Sequence, residues 1–262
     1  MGGEIQPLTC GKRELRGRRK EFTDVSTTLV AFGDPRYLAI DRSKTEAIGD
    51  AELRSVVRGG FGFGSLPSSR EEVESIAGLY PGSSREFLGE EATEERAKSI
   101  GRDVRYLHFA CHGLIDERFP LNSALVLSIP ANLGRGQDNG LLQAWEIFEH
   151  MGLDADLVTL SACETALGKE LGGEGLLGLT QAFQYAGARS VLASLWGVAD
   201  ESTAMLMKGF YGYLKAGKAK ADALRMAQID LIKAKAGTQT LGRAPISHPF
   251  YWAAFQLIGD WR

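Results

Sequence analysis

Apolar runs of strand length alternate with helix-length patterns from residue 27 almost to the end of the chain. We predict strands at residues 27–32, 84–88, 104–110, 124–128, 155–161, 190–195 and 250–258. Helices are predicted at residues 69–80, 93–100, 144–150, 173–186, 201–215 and 218–235, the first of them from a capping-box pattern at Ser69. Strands that alternate with helices are typical of a mostly parallel sheet covered on both faces. The pattern therefore predicts an α/β fold over residues 27–262.

The composition excludes several function classes. A formal net charge of −3 gives the chain no basic field that would attract nucleic acid. No apolar run approaches the ~20 residues that a membrane helix needs, and the first residues lack the apolar core of a secretory signal. Only three cysteines occur, Cys10, Cys111 and Cys163, which is too few for a disulfide framework. We therefore expect a cytoplasmic protein without nucleic-acid or membrane partners.

Two segments are predicted to lie outside regular structure. Residues 1–26 are polar and rich in Arg and Lys, which favours a flexible lead-in or a linker from a longer protein over a nucleic-acid-binding arm. Residues 58–64 read RGGFGFG and predict a flexible loop. The remainder contains no internal repeat and no clear second domain, so residues 27–262 are expected to form one unit.

Reactive residues follow the two central predicted strands. Cys111, His112 and Gly113 come at the end of the first, and Cys163 comes at the end of the second. In open parallel sheets, ligands bind at the carboxyl ends of the strands, so His112 and Cys163 are expected to share one cleft. An imidazole can take the proton of a thiol and activate it as a nucleophile. The alternative is that each residue is structural, as we expect for Cys111, which points to the opposite face from His112.

The wider pattern resembles a known family. The motifs that carry the resemblance are LHFACHG at residues 107–113, LSACET at 160–165, a glycine-rich turn at 172–175, LWGVAD at 195–200 and HPFYWAAF at 248–255. This pattern is similar to that of the CHAT domains, which are caspase- and separase-like domains found mostly in bacteria, often behind tetratricopeptide repeats. The resemblance implies a caspase-like three-layer α/β/α sandwich with a mostly parallel sheet of about six strands. It implies His112 as base, Cys163 as nucleophile, and neither metal nor organic cofactor.

Further site residues are expected around this dyad. The backbone N–H groups of Gly113 and Cys163 would hold the oxyanion that forms on a substrate carbonyl. Asp200 resembles the separase acid that faces a substrate arginine, although an N-cap of the following helix is its alternative role. Asp138 and Asp116 are weaker candidates for this substrate-binding acid, and Trp196 is expected to form a wall of the cleft.

Other kinds of site are less well supported. A zinc site built from His108, Cys111, His112 and Cys163 requires His108 and His112 to be close, but on a strand they lie roughly 13 Å apart. The chain has no Gly-x-Ser-x-Gly motif of a serine hydrolase. The glycines at 172–175 lack the Lys-Ser/Thr that a phosphate-binding loop needs.

Two functions remain open from the sequence. The first is a cysteine endopeptidase that cuts protein substrates, with a preference for a basic residue before the cut, under the control of a partner or of upstream repeats. The second is a non-catalytic interaction module that keeps the fold. The short segment 166–175 predicts that the domain works as one uncut chain, with the flexible loop at residues 58–64 as the expected place for any self-cleavage. The oligomeric state is left open.

Overall fold

The computed structural model of the protein describes residues 27–37, 63–129, 138–166, 174–198, 200–234, 240–241 and 244–262. The predicted lead-in at 1–26, residues 58–62 of the predicted loop, and residues 167–173 of the segment expected to stay uncut lie outside the described residues.

Ten strands and seven α-helices are described. The strands are β1 (Thr27–Gly33), β2 (Ser84–Leu88), β3 (Val104–Ile115), β4 (Ala124–Val126), β5 (Leu141–Gln143), β6 (Leu157–Ala166), β7 (Ser190–Ser194), β8 (Thr240–Leu241), β9 (Ala244–Pro245) and β10 (Phe255–Gly259). The helices are α1 (Pro67–Ala77), α2 (Glu94–Lys98), α3 (Ala144–His150), α4 (Glu174–Ala186), α5 (Asp200–Lys215), α6 (Lys220–Lys233) and α7 (Pro249–Trp252).

The main sheet has the strand order β10-β7-β6-β3-β1-β2. The pairs β1–β2, β1–β3, β3–β6 and β6–β7 are parallel, and only the edge strand β10 is antiparallel to its neighbour on this path. The small antiparallel strands β4 and β5 extend the sheet beside the last third of β3. The predicted mostly parallel sheet of about six strands is confirmed.

Buried side chains cover both faces of the sheet, because successive strand residues point to opposite sides. On one face, Phe109 and Leu160 pack in a cluster with residues of α2, α3 and α4, such as Phe183. On the other face, Tyr106 and Leu157 pack with residues of α1, α5 and α6, such as Phe210. These two clusters make the three-layer α/β/α sandwich that was predicted.

The two central strands are longer than their apolar runs. The predicted strand at 104–110 continues to Ile115, and the one predicted at 155–161 begins at Leu157 and continues to Ala166. Their pairing extends without a break from Tyr106–Leu157 to Ile115–Ala166, so neighbouring backbone, not hydrophobicity, keeps the reactive segments extended. The predicted end points at 110 and 161 are therefore too early, and the reactive residues lie in the last part of each strand.

Two other boundary predictions are wrong. Helix α1 begins at Pro67 and not at a Ser69 cap, because proline suits the first helical turn. The Ser69 hydroxyl instead donates to the Leu66 carbonyl and accepts the Asp34 N–H at 2.8 Å. The predicted strand at 250–258 begins only at Phe255, since Pro249 and the capping side chain of His248 start the short helix α7.

Candidate active site

The strand register brings positions 112 and 163 side by side. His112 of β3 is the Cα partner of Cys163 of β6, and neighbouring strands lie about 4.8 Å apart. His112 is half-buried at this point, beside the added strand β4. Of Cys163 the structure describes the backbone. The two residues that the sequence analysis paired are therefore adjacent in the sheet although 51 positions separate them in the chain.

Two aromatic rings enclose the imidazole of His112. The ring centroid of Tyr37 lies 5.1 Å from that of His112, and the centroid of Phe63 lies 5.6 Å away. The Tyr37 hydroxyl also accepts the backbone N–H of His112 at 3.2 Å and donates to the Val126 carbonyl at 3.2 Å. These contacts orient the ring from two segments of the chain, one at Tyr37 and one at Phe63.

The hydrogen bonds of the ring select one tautomer. Nε2 of His112 lies 2.8 Å from the carbonyl oxygen of Gly64, which can only accept. Nε2 must therefore carry the hydrogen, which leaves a lone pair on Nδ1 of the neutral ring. Nδ1 is buried and has no hydrogen-bond partner among the described residues. The arrangement leaves one ring nitrogen held and the other available as a proton acceptor.

A second histidine on β3 has different surroundings. His108 is fully buried, and its Nε2 lies 2.9 Å from Oε1 of Glu72 in α1, a close contact that is poorly aligned for a hydrogen bond. Its Nδ1 lies 3.3 Å from the hydroxyl of Tyr211 in α5, and that hydroxyl lies 2.9 Å from Oγ1 of Thr159. Burial raises the pKa of Tyr211 well above its ordinary value. We interpret this network as a polar link between the sheet and two helices.

The candidate acids lie in different environments. Oδ1 of Asp138 is 2.9 Å from Nζ of Lys98, which also contacts Glu94 at 2.5 Å and Glu146 at 2.6 Å. Burial alone lowers the pKa of Lys98, but its hydrogen bonds to the three carboxylates raise it overall. The Asp138 carboxylate is thus already paired with a cation. Asp116 follows β3, and its Oδ1 accepts the N–H groups of Arg118 and Phe119, both at 2.9 Å.

The remaining predicted residues lie on β3 or in the chain that follows β7. Asp200 is the first residue of α5. It therefore lies one position inside the helix, whereas the alternative role as N-cap would place it just before the helix. Trp196 is half-buried beyond β7, and its Nε1 donates to the Phe250 carbonyl at 3.0 Å. Gly113 is a buried residue of β3 whose Cα partners are Leu125 and Glu164. Cys111 packs in the core on the opposite face, as predicted.

The sequence analysis missed the residues that hold His112. Phe63 and Gly64 fall in the glycine-rich segment that was predicted to be a flexible loop, and Tyr37 follows the turn after β1. The only sequence signal for them is that two aromatic residues stand in segments otherwise rich in turn-forming residues. Among the described residues, no three His, Cys, Asp or Glu side chains form a group that could hold a metal ion. No helix in the described part of the chain is long and apolar enough to cross a membrane.

The family model of the CHAT domain matches residues 8–260. The chain belongs to the CHAT domain family. The three-layer α/β/α sandwich that the sequence resemblance implied is the architecture described above.

Tetratricopeptide repeat protein 28 of mouse is 30% identical to this CHAT domain over 81% of the chain, and the human protein is 30% identical over 87%. The chain spans about a tenth of the length of these two relatives. Both relatives are mammalian, although CHAT domains occur mostly in bacteria. Among solved structures, the Arg specific cysteine proteinase gingipain R matches 93% of this chain and 49% of its own, with 8% identity and a TM-score of 0.48.

Proposed function

We propose that this CHAT domain is a cysteine endopeptidase with Cys163 as nucleophile and His112 as base. One observation carries the proposal: β3 and β6 pair position 112 with position 163, and His112 offers a buried Nδ1 that has no partner among the described residues. A base must be within reach of the proton that it takes and must carry a free lone pair. Both conditions are compatible with this register and this tautomer.

The proposed chemistry follows from the tautomer. Nδ1 of His112 takes the proton of the Cys163 thiol, and the ring becomes an imidazolium that Gly64 still holds at Nε2. The thiolate attacks the peptide carbonyl, and collapse of the tetrahedral intermediate breaks the C–N bond as Nδ1 returns the proton to the leaving amine. Water then hydrolyses the thioester and restores the thiol.

The oxyanion site and the specificity site remain parts of the proposal. The N–H groups of Gly113 and Cys163 are the proposed oxyanion donors, on adjacent strands of the sheet. We propose a basic residue before the cut, with Asp200 as the acid that meets it. Asp138 has less support because its carboxylate already pairs with Lys98, and Asp116 already accepts two backbone N–H groups. Trp196 remains the proposed wall of the cleft.

A thiol-reactive peptide probe tests the proposal. We expect the probe to label Cys163 in the wild-type chain, with the site located by mass spectrometry of the digested protein. His112→Ala should lower the labelling rate by about 100-fold or more, because the thiol then lacks its base. Cys163→Ala should abolish labelling at that peptide. Labelling of Cys163 at equal rates in wild type and His112→Ala would contradict the proposal.

Two variants serve as controls. His150→Ala removes an exposed imidazole at the end of α3 and should leave labelling unchanged. Cys111→Ala removes the buried thiol of the same motif, and the labelled peptide should still be the one that contains Cys163. A reaction at Cys111 that depends on His112 would show that the nucleophile lies on β3 and that its assignment to Cys163 is wrong.

Partner binding is a second candidate function. Phe148 of α3 and Tyr185 of α4 are 45% and 67% exposed, yet their rings stack with centroids 3.7 Å apart. Exposed aromatic groups of this kind often mark contact surfaces. The relatives carry the name of a tetratricopeptide repeat protein, so we propose that repeats or another regulatory protein control the peptidase.

The three cysteines in the sequence favour a reducing compartment such as the cytoplasm.

A further inference from the structure

We infer that a buried ionic cluster at the end of α2 positions His112 through the strand pair β4–β5, and that this support requires the ionised form of Glu94. The cluster consists of one lysine and three carboxylates: Lys98, Glu94, Asp138 and Glu146. The inference rests on the proposed function of His112 as a base. It makes Glu94 a positioning residue that couples the site to pH.

Both carboxylate oxygens of Glu94 face hydrogen-bond donors. Oε1 lies 2.5 Å from Nζ of Lys98, and Oε2 accepts the backbone N–H of Gly140 at 2.8 Å. Glu94 is 2% exposed, so water cannot readily replace a lost partner. A proton on either oxygen would meet a group that can only donate. Protonation of Glu94 therefore weakens at least one of these two contacts.

Gly140 connects the cluster to the chain that follows β4. Its N–H donates to Glu94, and its carbonyl accepts the N–H of Leu127 at 2.7 Å. Gly140 has a φ of +87°, and a Cβ atom there would lie 3.0 Å from Cα of Ile129. The two segments thus approach each other closely at a position that favours glycine. A change in the Glu94 contact is therefore passed directly to the segment after β4.

The strand register carries this support to the proposed base. Leu141 of β5 is the Cα partner of Val126 in β4, and Val126 is the Cα partner of His112 in β3. At about 4.8 Å between neighbouring strands, His112 lies about 10 Å from the residue that follows Gly140. The hydroxyl of Tyr37 joins the inner pair, since it accepts the His112 N–H and donates to the Val126 carbonyl.

A second connection holds Tyr37 itself. The N–H of Ile129 donates to the Arg36 carbonyl at 3.1 Å, and the N–H of Arg36 donates to Oγ of Ser128 at 2.8 Å. The chain that carries Tyr37 is therefore bonded to the same segment that Gly140 holds. Loosening at Gly140 is expected to reach Tyr37 by this route and through the sheet.

The charge of Glu94 changes near neutral pH. Burial and the carboxylates of Glu146 and Asp138 raise its pKa to about 7, against the opposing hydrogen bond and charge of Lys98. Among the described residues, these are the charged groups that face Glu94, from its own helix, from α3 and from the chain before β5. Glu94 is therefore mostly ionised at pH 8 and mostly protonated at pH 5.5. The support of His112 is expected to be complete only at the higher pH.

A comparison of the wild-type chain with Glu94→Gln at pH 8 and pH 5.5 tests the inference. Glutamine resembles the protonated carboxyl group, because its amide nitrogen also places a donor against Lys98 or Gly140. We expect the thiol-reactive peptide probe to label Cys163 about tenfold faster in wild type than in Glu94→Gln at pH 8, and at about the same rate at pH 5.5. A ratio of the two rates that is the same at both pH values would overturn the inference.

A matched ion pair separates positioning from stability. Lys220 is also buried, and its Nζ lies 2.8 Å from Oδ1 of Asp156, which precedes β6 at the edge of the sheet opposite to His112. Asp156→Asn should lower the melting temperature and leave the labelling rate unchanged at both pH values. If Asp156→Asn slows labelling at pH 8 as much as Glu94→Gln does, the effect is one of stability and the inference is wrong.

Amide hydrogen exchange tests the support without catalysis. It decides the case in which the probe labels neither protein, a result that would count against the peptidase itself. The N–H groups of Leu127 and His112 are the reporters, since they bond to the Gly140 carbonyl and to the Tyr37 hydroxyl. We expect both to exchange about tenfold faster in Glu94→Gln than in wild type at pH 8, and at equal rates at pH 5.5. Equal exchange in both proteins at pH 8 would overturn the inference.

Discussion

His108 and His112 stand on the same strand and on the same side of it, four residues apart, but their ring nitrogens have opposite surroundings. Both ring nitrogens of His108 lie within 3.3 Å of polar atoms, on Glu72 and Tyr211, and the ring is completely buried. His112 is half-buried, with Nε2 held by Gly64 and Nδ1 without a described partner. The difference lies in what stands opposite the second ring nitrogen, which is a buried carboxylate for His108 and no described group for His112. Strand position and residue type alone therefore do not decide the role of a histidine.

We expect the strongest loss of activity when His112 is replaced. His112→Ala should lower kcat/KM for a peptide substrate by about 10²–10⁴, the usual contribution of a general base. The free energy of unfolding should change by less than about 2 kcal/mol, because the ring is half-buried and one nitrogen makes no bond that would be lost. Peptide hydrolysis and urea unfolding of the same samples measure the two effects. A large loss of stability with full activity would show that His112 is structural.

The reverse result is expected at His108. His108→Ala should lower the free energy of unfolding by about 3–5 kcal/mol, since Glu72 would remain buried without its partner. Urea unfolding by fluorescence measures the change, with the slope of the transition as a check on two-state behaviour. Replacing both partners, in His108→Leu with Glu72→Leu, should recover part of the loss. A change below about 1 kcal/mol in the single variant would mean that the network does not hold the helices to the sheet.

A third buried polar group, Glu94, should make the free energy of unfolding depend on pH. The pKa of Glu94 is raised from 4.5 to about 7, mainly by burial and in part by the carboxylate of Glu146, against the opposing hydrogen bond from Lys98. Between these two pH values the folded state holds a proton that the unfolded state has lost, so stability falls as the pH rises from 4.5 to 7. Glu94→Gln should remove on the order of 1–2 kcal/mol of this fall. Urea unfolding at several pH values between 4.5 and 8 measures the change. If the free energy of unfolding falls equally with pH in the wild type and in Glu94→Gln, the assignment is wrong.

The smallest expected effect concerns the support of His112. Tyr37→Phe removes the hydroxyl that bonds both the His112 N–H and the Val126 carbonyl, which should lower stability by about 1 kcal/mol. The aromatic contact with His112 stays, so the labelling rate of Cys163 should fall only a few-fold. Tyr213→Phe, which removes an exposed hydroxyl bonded to Asp230, is the matched control and should change neither quantity appreciably.

Much of the fold followed from the sequence pattern. The strand at Ser84–Leu88 and the helix at Ala144–His150 have the predicted bounds, and a capping box formed by Gln143 and Glu146 marks the start of the helix. The predictions failed where backbone pairing or proline overrode the apolar pattern, as at the ends of β3 and β6 and at Pro249. The small strand pair β4–β5 was only half predicted, since three residues are too few to show a period.

The candidate site was less predictable than the fold. The motifs named His112 and Cys163, and the resemblance to CHAT domains proposed their roles. No pattern in the sequence linked Tyr37, Phe63 or Gly64 to His112, because these contacts join segments 48 to 75 residues apart.

The alternation of strands and helices, the family, and the two reactive residues of the proposed dyad could all be predicted from the sequence alone. These are properties of residue type and spacing, which are written along the chain. The tertiary structure alone decided which ring nitrogen of His112 is held, why His108 differs from it, and where polar groups remain unsatisfied. Each of these depends on atoms brought together from distant segments, and hydrogen bonding depends on distance and direction between such atoms, which no one-dimensional pattern contains.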